Sequence, residues 1–190
     1  NENIFIQLKQ SVRSMDVFVI QPTCSPVNYN VMELLVLIDT VRRASAGRVT
    51  AVVPFYSYAR SDKKDQPRVP ITARLIADMI GIAGADRFMT VDLHAGQIQG
   101  FFSIPGDELS AFPLLSHYFE HNPISNLVVV AADLGFAKKA RNFAATLGAP
   151  VAFVEKRRQG TATECLSVVG DVDGKNVLIV DDEVDGGSTI

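Results

Sequence analysis

The sequence predicts an α/β fold built on mostly parallel sheets with helices on both faces. Short, continuous apolar runs such as 17–20 and 177–180 have the length and composition of strands covered on both sides. Between them lie longer segments whose apolar residues recur at helical spacing. The chemically distinctive residues, namely acidic pairs, a histidine and basic runs, fall just after the apolar runs, where loops of a parallel sheet collect.

Taken in order, Val17-Phe18-Val19-Ile20 reads as a strand ending at Gln21-Pro22. Val31, Leu34, Leu35, Ile38 and Val41 then set a helix over about 28–46, with Arg42 and Arg43 in its last turn and Gly47 placed to end it. Residues 49–54 form a second strand, followed by a polar stretch over 57–68. Pro70 suits the first position of a helix over 71–82, and Gly84 lies beyond its end. A strand over 88–93 runs into His94-Ala95-Gly96-Gln97. A helix over 110–120, a strand over 127–130, a helix over 137–147 and a strand over 151–154 continue the alternation. Residues 156–164, basic and then small and polar, read as a mobile excursion. Strands over 166–169 and 177–180, joined by a turn at Asp173-Gly174, complete the series.

With 190 residues, 47% hydrophobic and 21% charged, the chain can bury a core in one large domain or two small ones. A net charge of −3 argues against a general nucleic-acid or membrane-surface binder. No apolar run approaches the roughly 18 residues of a membrane span. Cys24 and Cys165 lack CxxC spacing, so a disulfide framework or structural zinc is not expected, and a reducing cytoplasm fits best. No basic region followed by an apolar stretch marks the start as a signal peptide. Both ends read as cut, because the chain stops where a helix should begin.

Four clusters carry chemistry. At 177–189 a buried strand runs into Asp181-Asp182-Glu183-Val184-Asp185 and then Gly186-Gly187-Ser188-Thr189. Small residues let backbone N–H groups turn toward a phosphate, and the carboxylates suit sugar hydroxyls or hydrated Mg²⁺; a capped turn with a solvated acidic face is the alternative. Val91-Asp92-Leu93-His94-Ala95-Gly96-Gln97-Ile98-Gln99-Gly100-Phe101-Phe102 places a histidine after a buried strand, either as a ligand or as a structural residue. Tyr58-Ala59-Arg60-Ser61-Asp62-Lys63-Lys64-Asp65-Gln66-Pro67-Arg68 alternates charges without an apolar anchor, as a solvated loop does, yet Arg60 could pair with phosphate or stack on a base. Glu155-Lys156-Arg157-Arg158 is either a solubilising face or a set of fixed cations for a charged transition state.

Taken together, these segments resemble the class I ribose-phosphate pyrophosphokinases (phosphoribosyl pyrophosphate, or PRPP, synthetases). The terminal segment is similar to the PRPP-binding loop of the wider phosphoribosyltransferase-type fold, and the segment around His94 is similar to the synthetase signature. Residues 32–35 and 42–46 extend the resemblance over nearly the whole chain. It implies two tandem phosphoribosyltransferase-like (Rossmann-like) domains with mostly parallel sheets. Residues 1–108 would be the ATP side, lacking a first strand and helix, and residues 109–190 an incomplete ribose 5-phosphate side. It also implies ATP contacts at Arg60, Ser61, Asp62 and His94, with Mg²⁺ held by His94 and Asp133. Asp181, Asp182 and Asp185 would contact the ribose, residues Gly186, Gly187, Ser188 and Thr189 its 5-phosphate, and Lys156 and Arg158 would act in catalysis. Asn1 and Asn3 would lie in a loop reaching a neighbouring subunit's adenine.

The sequence departs from the family pattern at Ser61, where Gln is common, and at Phe136 in 132–139, where Gly is typical. It departs again at Gly186, where Thr is common, and at Ser188, where Gly is common. The implied reaction moves the diphosphoryl group of MgATP to the 1-hydroxyl of ribose 5-phosphate. The implied setting is a cytoplasmic homo-oligomer, a hexamer, activated by inorganic phosphate, with no nucleic-acid or membrane partner. A P-loop kinase is excluded because GxxxxGK[ST] is missing. A non-catalytic regulatory subunit and a plain phosphoribosyltransferase are the alternatives.

Overall fold

The computed structural model describes residues 3–159 and 162–184. The chain divides into two compact units, Asn1–Ser110 and Ala111–Ile190. In the first, strands β1 (Asp16–Ile20), β2 (Arg48–Val53), β3 (Arg87–Val91) and β4 (Gly106–Leu109) form one parallel sheet in sequential order. Helices α1 (Val27–Arg43) and α2 (Thr72–Ala83) supply two of its crossovers, and a short 3-10 helix, Gly96–Phe101, lies between β3 and β4. Val31, Leu34, Ile38 and Val41 of α1 and Ala73, Ile76 and Ile80 of α2 share a core with Val49, Ala51 and Val53 of β2.

That core lies on one face of the sheet, and here the expectation of helices on both faces needs correcting. Phe18 and Ile20 point to the opposite face and are 52% and 66% exposed. Sequential strand order sends successive right-handed crossovers to the same side, so among the described residues the second face has no helix. The end of α1 also differs from expectation. Ser45, at φ 64°, takes the left-handed position, and its N–H and that of Ala46 donate to the carbonyls of Arg42 and Val41. Gly47 serves close approach instead: a Cβ there would lie 2.9 Å from the Ser14 carbonyl oxygen. Helix α2 begins at Thr72, two residues past Pro70, because an outside cap described below fixes its start.

In the second unit the sheet order is β7-β6-β5-β8, from β5 (Leu127–Ala131), β6 (Val151–Gln159), β7 (Ala162–Val169) and β8 (Asn176–Val180). Strand β5 pairs in parallel with both β6 and β8, whereas β6 and β7 form an antiparallel hairpin with an irregularity at Glu155/Lys156. The segment expected to be an excursion is therefore strand up to Gln159 and again from Ala162. Helices α3 (Phe112–His121) and α4 (Ala137–Thr146) pack on Val129 and Ala131 through Phe112, Phe119, Phe136 and Phe143. Strand β4, unforeseen in the sequence, is short and polar, and its Gly106 admits the Phe88 ring, which stacks on Phe102 with centroids 3.6 Å apart.

A Cβ at Gly106 would come within 2.1 Å of the buried Phe88 ring. Gly106→Ala is expected to destabilise the chain by about 1–3 kcal/mol in urea unfolding. Gly100→Ala, with nothing within 4 Å of the added carbon, is the control and should leave the midpoint nearly unchanged.

Candidate functional site

In the first unit the loops that follow β1, β2 and β3 leave the same edge of the sheet, and buried polar side chains tie them together. Thr23, in the loop after β1, is 1% exposed; its hydroxyl donates to the Phe55 carbonyl at 2.7 Å and accepts from the Ser57 N–H at 2.8 Å. The loop after β2 carries Arg60, Ser61 and Asp62. Arg60 is exposed, whereas the Asp62 residue is only 7% exposed and accepts a 2.7 Å hydrogen bond from Gln97 Nε2. A buried carboxylate needs such a partner. This bond joins the Arg60 segment to the 3-10 helix that follows the exposed His94.

Glu108 on β4 secures the other side of the His94 loop. Its two carboxylate oxygens accept from the Leu93 N–H at 3.0 Å and from Gln99 Nε2 at 2.6 Å. Asp92, directly after β3, holds a left-handed backbone (φ 42°) and accepts from the Ser110 hydroxyl at 2.9 Å. Sequence reasoning gave a role to neither Asp92, which it met only as part of the His94 segment, nor Glu108. The signal for Asp92 was its place one residue beyond an apolar run; Glu108 has none without β4.

Ser61 has a structural task. Its hydroxyl accepts the Thr72 N–H at 3.1 Å and its carbonyl accepts the Ala73 N–H at 3.2 Å. Two of the first N–H groups of α2 are thus satisfied from a distant loop, which compensates for an N-cap, Ile71, that has no side-chain hydrogen bond.

In the second unit, β5 has parallel neighbours on both sides, β6 and β8. Open α/β sheets hold ligands beyond the carboxyl ends of such strands. Asp133 follows β5, and Asp181 and Asp182 follow β8. Asp133 Oδ1 accepts the Phe136 N–H at 2.9 Å, so the same carboxylate shapes the start of α4. Burial, together with the Asp182 carboxyl, pushes Asp181 up to about 6 from 3.8, and the Asp133 charge adds to the rise. Phe136 is 7% exposed and faces the core, its ring 5.9 Å from that of Phe112. The bulky residue at a position where Gly is typical is therefore a packing residue.

Asp185, Gly186, Gly187, Ser188 and Thr189 lie outside the described residues, as do the side chains of Lys156 and Arg158. Among the described residues, no group of three or more His, Cys, Asp or Glu side chains is arranged to hold a metal. A Mg²⁺ ion that keeps much of its own water needs only one or two protein carboxylates, and the Asp133 carboxylate after β5 is of a kind that fits it. No helix among the described residues is long and apolar enough to cross a membrane.

Residues 1–84 match the family described as the N-terminal domain of ribose phosphate pyrophosphokinase. A ribose-phosphate pyrophosphokinase of Clostridium perfringens is 49% identical, over 98% of this chain and 60% of its own length. That of Rhizobium meliloti is 48% identical, over 100% of this chain and 62% of its own. A solved phosphoribosylpyrophosphate synthetase from Mycobacterium smegmatis superposes with a TM-score of 0.89 at 46% identity, covering 99% of this chain and 62% of that one. In sequence and in fold, this chain is similar to these ribose-phosphate pyrophosphokinases. It spans about three fifths of the length of the curated relatives it matches.

Two tests follow from the geometry. Ser61→Ala should lower stability by about 1 kcal/mol, the usual worth of a cap, as read from a shifted denaturation midpoint. The raised Asp181 contributes stability that is fully present below about pH 4, where the carboxyl is protonated folded or unfolded, and lost as pH rises through about 6. Asp181→Asn should therefore be more stable than the wild type at pH 7–8, with the gap closing near pH 4. Parallel unfolding curves across pH 4–8 measure this, and a gap independent of pH would refute it.

Proposed function

We propose that the protein to which this chain belongs is a ribose-phosphate diphosphokinase. It transfers the β,γ-diphosphoryl group of MgATP to the 1-hydroxyl of ribose 5-phosphate, giving PRPP and AMP for nucleotide biosynthesis. The observation that carries this reading is the close match, near 48% identity, to ribose-phosphate pyrophosphokinases along the whole of this chain. Strand-end loops rich in the residue types the reaction requires add support.

In this reading the first unit is the ATP side. Arg60 pairs with phosphate or stacks on the base, while Asp62 acts through Gln97 to hold the Arg60 loop against the His94 loop. The second unit takes ribose 5-phosphate: Asp181, Asp182 and Asp185 hold sugar hydroxyls, and Gly186, Gly187, Ser188 and Thr189 turn backbone N–H groups to the 5-phosphate. Lys156 and Arg158 neutralise charge that develops during transfer, in a reaction that asks mainly for alignment and electrostatics. Bound Mg²⁺ would supply charge neutralisation at the phosphates, with His94 and Asp133 as the residues that would hold it or its water. The same reading makes the protein a cytoplasmic homo-oligomer, a hexamer, activated by inorganic phosphate.

The departures at Ser61, Phe136, Gly186 and Ser188 are what favour a non-catalytic regulatory subunit. Ser61 and Phe136 have structural tasks, as the cap of α2 and a part of the core, so neither argues for lost chemistry, while Gly186 and Ser188 lie outside the described residues.

The test is AMP release from ATP by the full-length protein with Mg²⁺ and phosphate. Release that depends on ribose 5-phosphate is expected; none from folded, ATP-binding protein would favour the regulatory subunit. Lys156→Ala should lower kcat by about 10²–10³ with little change in ATP binding, and an unchanged kcat would remove Lys156 from the mechanism.

A further inference from the structure

Helix α3 carries His117 and His121, two of the chain's three histidines, one turn apart and both exposed. Residues four apart share a helix face, and this is the spacing with which paired helical histidines hold a single ion. Their ring centroids are 4.1 Å apart, with the planes inclined by 58°. Both rings turn Nδ1 toward an oxygen. His121 Nδ1 is 2.8 Å from the His117 carbonyl oxygen, and His117 Nδ1 is 3.8 Å from Glu120 Oε2. An oxygen acceptor at hydrogen-bond distance, as at His121 Nδ1, selects the tautomer protonated there and leaves the Nε2 lone pair for a ligand; at His117 the carboxylate is near enough to orient the ring without a hydrogen bond. Metal-ligating histidines are oriented in this way by a carbonyl or a carboxylate.

From this arrangement we infer that His117 and His121 form a two-imidazole site, through their Nε2 atoms, for a borderline divalent transition cation such as Cu²⁺, Ni²⁺ or Zn²⁺. Imidazole nitrogens select these ions over Mg²⁺ and Ca²⁺, which require oxygen ligands. Water completes the coordination, so affinity follows the ordinary order for nitrogen sites, with Cu²⁺ above Ni²⁺ and Zn²⁺. Helix α3 ends at His121 and β5 begins at Leu127, which puts the pair toward the amino end of the sheet. Asp133 and Asp181 follow the carboxyl ends, so the site is separate from the acidic cluster and does not depend on the reaction proposed above. An ion that spans one helical turn in the folded state raises stability by linkage.

The test titrates the 190-residue chain with NiCl₂, ZnCl₂ or MgCl₂ alone, following heat of binding and thermal unfolding without nucleotide or phosphate. Saturable binding of Ni²⁺ and Zn²⁺ with a raised Tm, and no response to Mg²⁺, is expected. His117→Ala and His121→Ala should each weaken binding by about tenfold or more, with circular dichroism confirming that these exposed substitutions leave the fold intact. Unchanged affinity in the double variant would overturn the inference. So would a wild type with no binding at millimolar Ni²⁺, or binding abolished in His94→Ala or Cys24→Ser.

Discussion

Parallel pairing is the constraint from which the rest of this molecule follows. A strand whose neighbour runs the same way cannot be joined to it by a tight turn, so the chain must cross back over the sheet. Every loop that leaves one of these parallel strands therefore begins at the same edge. In the first unit this brings the segments after β1, β2 and β3 side by side, although Thr23, Asp62 and Gln97 are far apart in sequence. In the second unit it sets Asp133 beside Asp181, because β5 pairs in parallel with β8.

Crowding loops at one edge creates a problem of polar burial, and the solution gives the candidate site its rigidity. The Thr23 hydroxyl, the Asp62 carboxylate and the Glu108 carboxylate each accept from a group in another segment, so no loop is fixed by its own turn alone. A buried acceptor left without its donor costs more than the net value of the bond it makes. Asp62 and Gln97 therefore constrain each other: the first is buried only because the second reaches it. Asp181 is the opposite case: burial first, and then the neighbouring Asp182 and Asp133 carboxyls, raise its pKa. A carboxyl so placed is costly to ionise in the folded chain.

Legibility in the sequence followed burial. Strands β2, β3 and β5 were readable because a strand covered by helices is a continuous apolar run, and α1 because its four buried positions keep helical spacing. Strand β4, Gly-Asp-Glu-Leu, has no such signature: parallel pairing with β3 alone makes it a strand. The base of the β6–β7 hairpin was readable as strands over 151–154 and 166–169, but its outer part was hidden, since basic and small polar residues read as loop until backbone pairing is known. At the candidate site, His94, Arg60 and the acidic residues were visible as distinctive side chains after apolar runs. Glu108 and the capping role of Ser61 were not, because each acts on a partner distant in sequence.

Ser61 and Phe136, two of the departures from the family pattern, belong to the same class of position. One satisfies the first N–H groups of α2 from outside, and the other is the N-cap residue of α4 with its ring in the core. Both sit where a strand-end loop turns into a helix, a junction at which a backbone must be held whether or not a ligand is present. Substitution there changes how the helix start is secured while leaving Arg60 and Asp133 on the same edges of their sheets. A residue type that is common at such a junction therefore need not be a ligand contact, and its replacement is weak evidence about chemistry. What bears on chemistry is the charged groups beside these positions, Arg60, Asp62, His94 and Asp133 among them.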